Sequence, residues 1–249
     1  MNDLVSRGSK TAKDGFCNED FVIEVFNNWK DNILGQNWIE KMGYSLREIE
    51  YVKAEKIKGS FKADIQVQVS IKLKSLIDAQ NLQIKLASNL VGFNQVDKRW
   101  VSSYAEMWNM PEKIVQILKY FTGEIPPYIL NPADNRRMFM NEFEEEDQNL
   151  LIKFIKENQA LIVCDILKGR GQFSAEWMLV ILKNGDLRWC LEPMNFCLNF
   201  FGNGEVEITK QGSIKIGKIT IQRKGGDGGR KTAQMLQFKI NPCLLFDLN

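Results

Sequence analysis

Three polar residues stand in a pattern suited to phosphate-ester chemistry: Asp64, a spacer of 18 residues, then Gln83-x-Lys85. A carboxylate and an amide oxygen are hard donors of the kind Mg²⁺ accepts, and that ion keeps several of its waters. An ammonium group beside them can orient or help deprotonate the attacking water and offset charge in the transition state. The plain alternative is that Gln83 and Lys85 lie on a solvated sheet face and Asp64 begins a strand by chance.

Positioning these groups requires two adjacent strands. "KADIQVQVSIKL" alternates, with Ile65, Val67, Val69 and Ile71 on one face, and reads as the first. "NLQIKLAS" reads as the second, with Leu82, Ile84 and Leu86 on one face and Gln83 and Lys85 on the other. Upstream, Phe21, Val22, Val25, Phe26 and Trp29 recur at helical spacing over 14–30. A short helix near "NWIEKMG" stops at Gly43. "PEKIVQILKYFTG" is a helix with Pro111 in its first turn and Gly123 as its stop.

The stretch 123–137 holds three of the six prolines and reads as a long loop and a subdomain boundary. A helix over 144–158 begins in the acidic "EFEEEDQ", which the helix dipole favours. Strands are expected at 160–167, 176–183 and 186–192, with a turn at Asn184-Gly185, followed by a short helix in "PMNFCLNFFG". The remainder is β-rich. The fold class is mixed α and β. The expected division is 1–125 for the chemistry and 126–249 mainly for recognition.

Composition excludes much. The chain has 249 residues and no histidine, so a Ser-His-Asp or Cys-His unit and a His-ligated zinc site are ruled out. Its five cysteines are scattered and show no metal-ligand spacing, which fits free thiols in a reducing cytoplasm. No apolar run approaches the roughly 18 residues of a membrane span, and "MNDLVSRGSK" is not a secretory signal.

Net charge is only +2, but from Thr209 to Lys239 eight basic residues face one acid, Asp227. That local excess points to a polyanion partner. "GGDGGRKT" is superficially like a phosphate-binding loop, yet Arg230 occupies the place of the motif's last glycine, where a side chain would obstruct the backbone cradle. A basic hairpin fits the flanking alternation better.

The Asp64–Gln83–Lys85 arrangement resembles a variant of the PD-(D/E)XK nuclease signature. "GFCNEDF" resembles that superfamily's first-helix segment, whose glutamate is here Glu19. "GSKTAKDGF", "NLVGFNQVDKRW", "RRMFMNEF", "ILKGRGQFSAEW" and "TIQRKGGDGGRKTAQMLQFKI" are similar to the small type II restriction endonucleases that cut the palindrome GCGC. Ala63 departs from the motif's proline and Gln83 from its usual acid. A glutamine is the expected form within the GCGC-cutting group.

The resemblance implies a restriction-endonuclease-like core, a central mixed sheet flanked by helices, that cleaves duplex DNA with Mg²⁺. Asp64 and Gln83 would bind the metal and Lys85 would position water. Glu19 would be a fourth member, or else an exposed carboxylate in a helix's first turn. A matching DNA methyltransferase would be its companion, its setting cytoplasmic, and its state a monomer or a homodimer.

Two segments carry the expected DNA contacts. Phe93 suits an apolar wedge between base steps, Asn94 and Gln95 suit base edges, and Lys98 suits phosphate or guanine. The alternative is a core Phe93 beside a solvated turn. Arg223 and Lys224 suit guanine, Asp227 suits cytosine, and Gln222, Gln234 and Gln237 flank them. The alternative is a loop that touches only phosphate or solvent. Arg170, in "GRGQ", reads as a backbone contact. A DNA-binding protein without catalysis is the rival to the nuclease.

Overall fold

The computed structural model describes residues 19–57, 66–73, 76–184, 186–226 and 230–248. Its elements begin with helices α1 (19–27) and α2 (Ile33–Lys41), then strands β1 (Ile49–Lys56), β2 (Gln66–Leu73), β3 (Ile77–Ala87) and β4 (Asn94–Arg99). Helices α3 (Val101–Trp108), α4 (Glu112–Thr122), α5 (Glu145–Glu157) and α6 (Gln159–Leu167) follow. The chain continues through β5 (Trp177–Asn184), β6 (Asp186–Pro193), α7 (Met194–Gly202), β7 (Val206–Ile208), β8 (Ile214–Ile216), β9 (Ile219–Arg223) and β10 (Leu236–Ile240).

Two units result, and neither is a continuous half of the chain. One contains the described residues before Gln95 with Lys168–Cys197 and the chain from Asn241. The other contains Gln95–Leu167 and Leu198–Ile240. The proline-rich loop lies inside the second unit.

The first unit is built on a sheet of order β1-β2-β3-β5-β6. β3 is central, antiparallel to β2 and parallel to β5. The alternation read from the sequence sets one face: Val67, Val69, Ile71 and Leu82 are wholly buried, joined by Leu179 and Leu191. Against them pack Val22, Val25 and Phe26 of α1 and Trp38 and Ile39 of α2. Burying side chains of this size contributes about 1.5–3 kcal/mol each. Asn32 caps α2 by accepting from the Leu34 and Gly35 amides. Gly35 allows the two helices to approach, since a Cβ there would lie 2.6 Å from the Val25 carbonyl oxygen.

The second unit carries a sheet of order β4-β10-β9-β8-β7. Behind it Tyr104 and Trp108 of α3 stack at 4.7 Å, and Phe238 of β10 meets both edge-on. α4 runs from Pro111 to Gly123 as its end signals predict, and Glu145, Glu146 and Asp147 fill the first turn of α5.

Residues 160–167 are a correction: they form helix α6, not a strand. An almost uniformly apolar run carries no period, so it cannot separate the two states. Packing decides here. Ile162, Val163, Ile166 and Leu167 are buried, and the buried Asp165 accepts from the Trp108 indole at 2.9 Å. β1 and β4 are further strands that the sequence did not signal. In β4 the neighbours Val96 and Asp97 are both buried, so no alternation is visible.

Candidate active site

From Asn81 onward β3 is covered on both faces. Leu82 faces the apolar core, but Ile84 and Leu86 on that side are only partly buried. Asn81, Gln83 and Lys85, on the opposite side, are more enclosed, with relative exposures of 3%, 0% and 4%. A solvated polar face is thereby excluded. The strands on either side explain the enclosure. Gln83 pairs with Gln66 of β2 and Met178 of β5, and Lys85 pairs with Val180. Met178 and Val180 are wholly buried, so on the β5 side the two polar groups have apolar neighbours.

The two buried amides differ in a way that matters. Asn81 accepts from Gln68 Nε2 at 3.0 Å and donates to the carbonyls of Gln172 and Ser174. Among the described residues neither Gln83 Oε1 nor Gln83 Nε2 has a hydrogen-bond partner. Leaving such a group unsatisfied in a protein interior costs about 1–3 kcal/mol. Native proteins avoid that cost unless the group has another use. An unclaimed amide oxygen fits the donor set that a hard divalent cation requires.

Asp64, two residues before Gln66 in the sequence, lies outside the described residues, as does Asp227. Among the described residues no three acidic or thiol side chains gather as a metal-ligating group. Glu19 is not an exposed first-turn carboxylate. It is 7% exposed and lies 3.5 Å from Lys56 Nζ at the end of β1. Lys56 also meets Asp20 at 2.7 Å, and that hydrogen bond is the main cause of its raised pKa.

The R.HinP1I restriction endonuclease family matches residues 42–246. The chain belongs to this family. It is a type II restriction endonuclease, a site-specific deoxyribonuclease. The matched stretch contains Asp64, Gln83 and Lys85, whereas Glu19 precedes it. Among solved structures, that of the restriction endonuclease MspI in complex with its cognate DNA is similar, with a TM-score of 0.60 at 11% identity. The likeness covers 89% of this chain and 87% of that one, and it shows a shared fold. No curated protein matches the chain.

The enzyme's other expected contacts divide between its units. In the unit of β3, Phe93 is 57% exposed, which rules out the core alternative. Asn94 donates from Nδ2 to the Leu86 carbonyl at 2.7 Å, tying the loop to β3. Arg170 is exposed between Gly169 and Gly171, both at positive φ.

In the other unit, the order β4-β10-β9 sets Gln95, Gln237 and Gln222 on successive strands. Gln237 pairs with Gln222 in register and donates from Nε2 to Gln95 Oε1 at 2.7 Å. Lys98 is half-buried on β4. Gln234 is committed elsewhere, donating to the Gly123 carbonyl at 2.6 Å.

Arg223 and Lys224 are sequence neighbours but do not act as a pair. Arg223 pairs with Leu236 and so belongs to the row of Ile221 and Phe238, the apolar side of the sheet. Lys224 follows on the other side, where its charge helps hold Lys239 below the ordinary lysine range, after burial as the main cause. The β9–β10 connection is a hairpin, as its alternation predicts, with a 3-10 turn at Lys231–Gln234.

Proposed function

We propose that this enzyme hydrolyses phosphodiester bonds of double-stranded DNA at a short G/C palindrome, GCGC, with Mg²⁺ as its cofactor. The observation that carries the catalytic part is the buried, unpartnered amide of Gln83, two residues from the buried Lys85 on a central strand. Asp64 and Gln83 would hold the ion, which when bound supplies Lewis-acid stabilisation of phosphate charge. Lys85 orients the attacking water and offsets negative charge on the scissile phosphate. Its apolar neighbours Met178 and Val180 lower the local dielectric and strengthen that effect. Glu19 would contribute from α1.

On the DNA side, Phe93 is the wedge. Gln95, Gln222 and Lys224 read base edges, as Asp227 would, with Gln237 behind Gln95, while Lys98 meets phosphate and Arg170 meets the backbone. The cognate complex of MspI supports a duplex as the substrate of this fold. A companion DNA methyltransferase protects the host's own sites, and the enzyme works in the cytoplasm.

Plasmid DNA incubated with and without Mg²⁺, followed by sequencing of the fragment ends, tests the reading. Discrete fragments ending within GCGC, only with the metal, are expected. Asp64→Ala and Lys85→Ala should still retard the duplex while cutting about 10²–10⁴-fold more slowly. Full cutting by Asp64→Ala would remove the proposed site, and retarded but intact DNA from the wild type would remove the catalytic reading.

A further inference from the structure

Beside the sheet of the β10 unit, Arg136 and Arg137 meet at one carboxylate, and Arg223 lies close enough to act on their charge. Arg136 makes a bidentate pair with Asp134, at 2.8 and 2.9 Å. Arg137 Nε lies 3.7 Å from the same carboxylate, and its guanidinium stacks 4.0 Å from the Phe139 ring centroid. Arg223, at the end of β9, has a buried Nε with no hydrogen-bond partner. Glu142 is the other acid within reach, but its oxygens accept from the Ala133 and Phe139 amides. Among the described residues these three cations meet two anions, and one donor is left unanswered.

The arrangement is rigidly mounted. Gly123, which ends α4 at φ 80°, lies so close to Arg136 that a Cβ there would come within 2.2 Å of the Arg136 carbonyl oxygen. Met138 donates its amide to the Tyr120 carbonyl at 3.0 Å, and Gln234 holds the Gly123 carbonyl from the other side. Burial is the main reason that Arg137 and Arg223 fall below the ordinary guanidinium range, and the neighbouring arginines act in the same direction. An anion bound among them would relieve this cost.

We propose that Arg136, Arg137 and Arg223 form a clamp for one backbone phosphate of the bound duplex. The inference rests on the DNA reading above and moves Arg223 from base readout to backbone positioning. A phosphodiester offers two oxygens to guanidinium forks, and Arg136 keeps donors that Asp134 does not use. Such a contact fixes register on the duplex but carries no sequence information.

The test is equilibrium binding of a cognate and an unrelated duplex, without divalent metal, over a range of salt. Arg136→Ala and Arg223→Gln are the variants, because Arg137 also packs on aromatic rings. Each should weaken both duplexes by a similar factor and lower the slope of log Kd against log salt by about one. A single cooperative melting transition, even at a lower temperature, shows that the variants remain folded. Arg136 is exposed, so its variant keeps the test valid even if the Arg223 variant is destabilised.

A loss confined to the cognate duplex, or an unchanged slope, overturns the clamp. Binding of inorganic phosphate that Arg136→Ala abolishes, with duplex binding unaltered by the substitution, would assign the pocket to the free anion and also overturn the clamp. Failure of the wild type to bind any duplex would instead sink the DNA reading, and the clamp with it.

Discussion

Asn81 and Gln83 stand two residues apart on one face of β3, both buried, and only Asn81 has its amide satisfied. The fold can evidently supply partners at this depth, so the orphaned Gln83 is specific to its position. Gln83→Met keeps the volume and removes the unsatisfied polar atoms. It is expected to raise stability by about 1–3 kcal/mol while abolishing cleavage. A melting curve and a plasmid digest read the two effects. A variant that melts lower would show that Gln83 is held by contacts that stabilise the fold.

The Gln237–Gln95 bond makes a second prediction. Gln237 is 5% exposed and donates to Gln95 Oε1, which on the proposed reading makes it a support for Gln95. Gln237→Leu should leave cutting at the cognate site largely intact. Discrimination against sites with one altered base should fall by about 1–3 kcal/mol. Rates on matched pairs of oligonucleotides decide it, and equal loss on all sites would assign Gln237 to structure alone.

Asp134 makes acid stability predictable. Its hydrogen bonds from Arg136 hold its carboxyl down at about 2, against an ordinary value of 3.8. A depressed folded-state value means that the pairing stabilises the protein fully above about 4 and loses that effect as pH falls toward 2. The stability difference between wild type and Asp134→Asn should therefore be flat from neutral pH to about 4 and shrink below it. Urea unfolding at stepped pH measures it, and a difference that changes between pH 5 and 7 would contradict the assignment.

Thiol reactivity follows burial. The Cys197 thiol is pushed up to about 12, chiefly by burial, and Cys190 and Cys243 are buried as well. Cys164 is the one partly exposed thiol among the described residues. Brief labelling with iodoacetamide at pH 8 should modify Cys164 first of these four and reach the others only on unfolding, as mass spectrometry of the peptides would show. Early labelling of Cys197 would mean that its surroundings open readily.

Much of the framework was legible because its causes are local. Pro111 and Gly123 mark the ends of α4 through backbone chemistry that no distant contact alters. Alternation in β2 and β3 announces strands, because each side chain answers to the face on which it sits. The same locality explains the misreading at 160–167. Its residues are apolar apart from Asp165, and only the place that α6 takes beside the Trp108 indole decided between helix and strand. β4 stayed hidden because both of its faces are covered.

For the site, the sequence by itself determined which groups are available: a carboxylate, an amide, an ammonium and no imidazole. It also determined that Gln83 and Lys85 share a strand face, since that follows from a two-residue period. Whether that face meets water depends on what β2 and β5 place around it, and β5 comes from a distant stretch of chain. Tertiary structure alone buried Gln83 without a partner. It alone gave Arg223 the apolar row of Ile221 and Phe238 for company, because those neighbours are set by the pairing of β9 with β10.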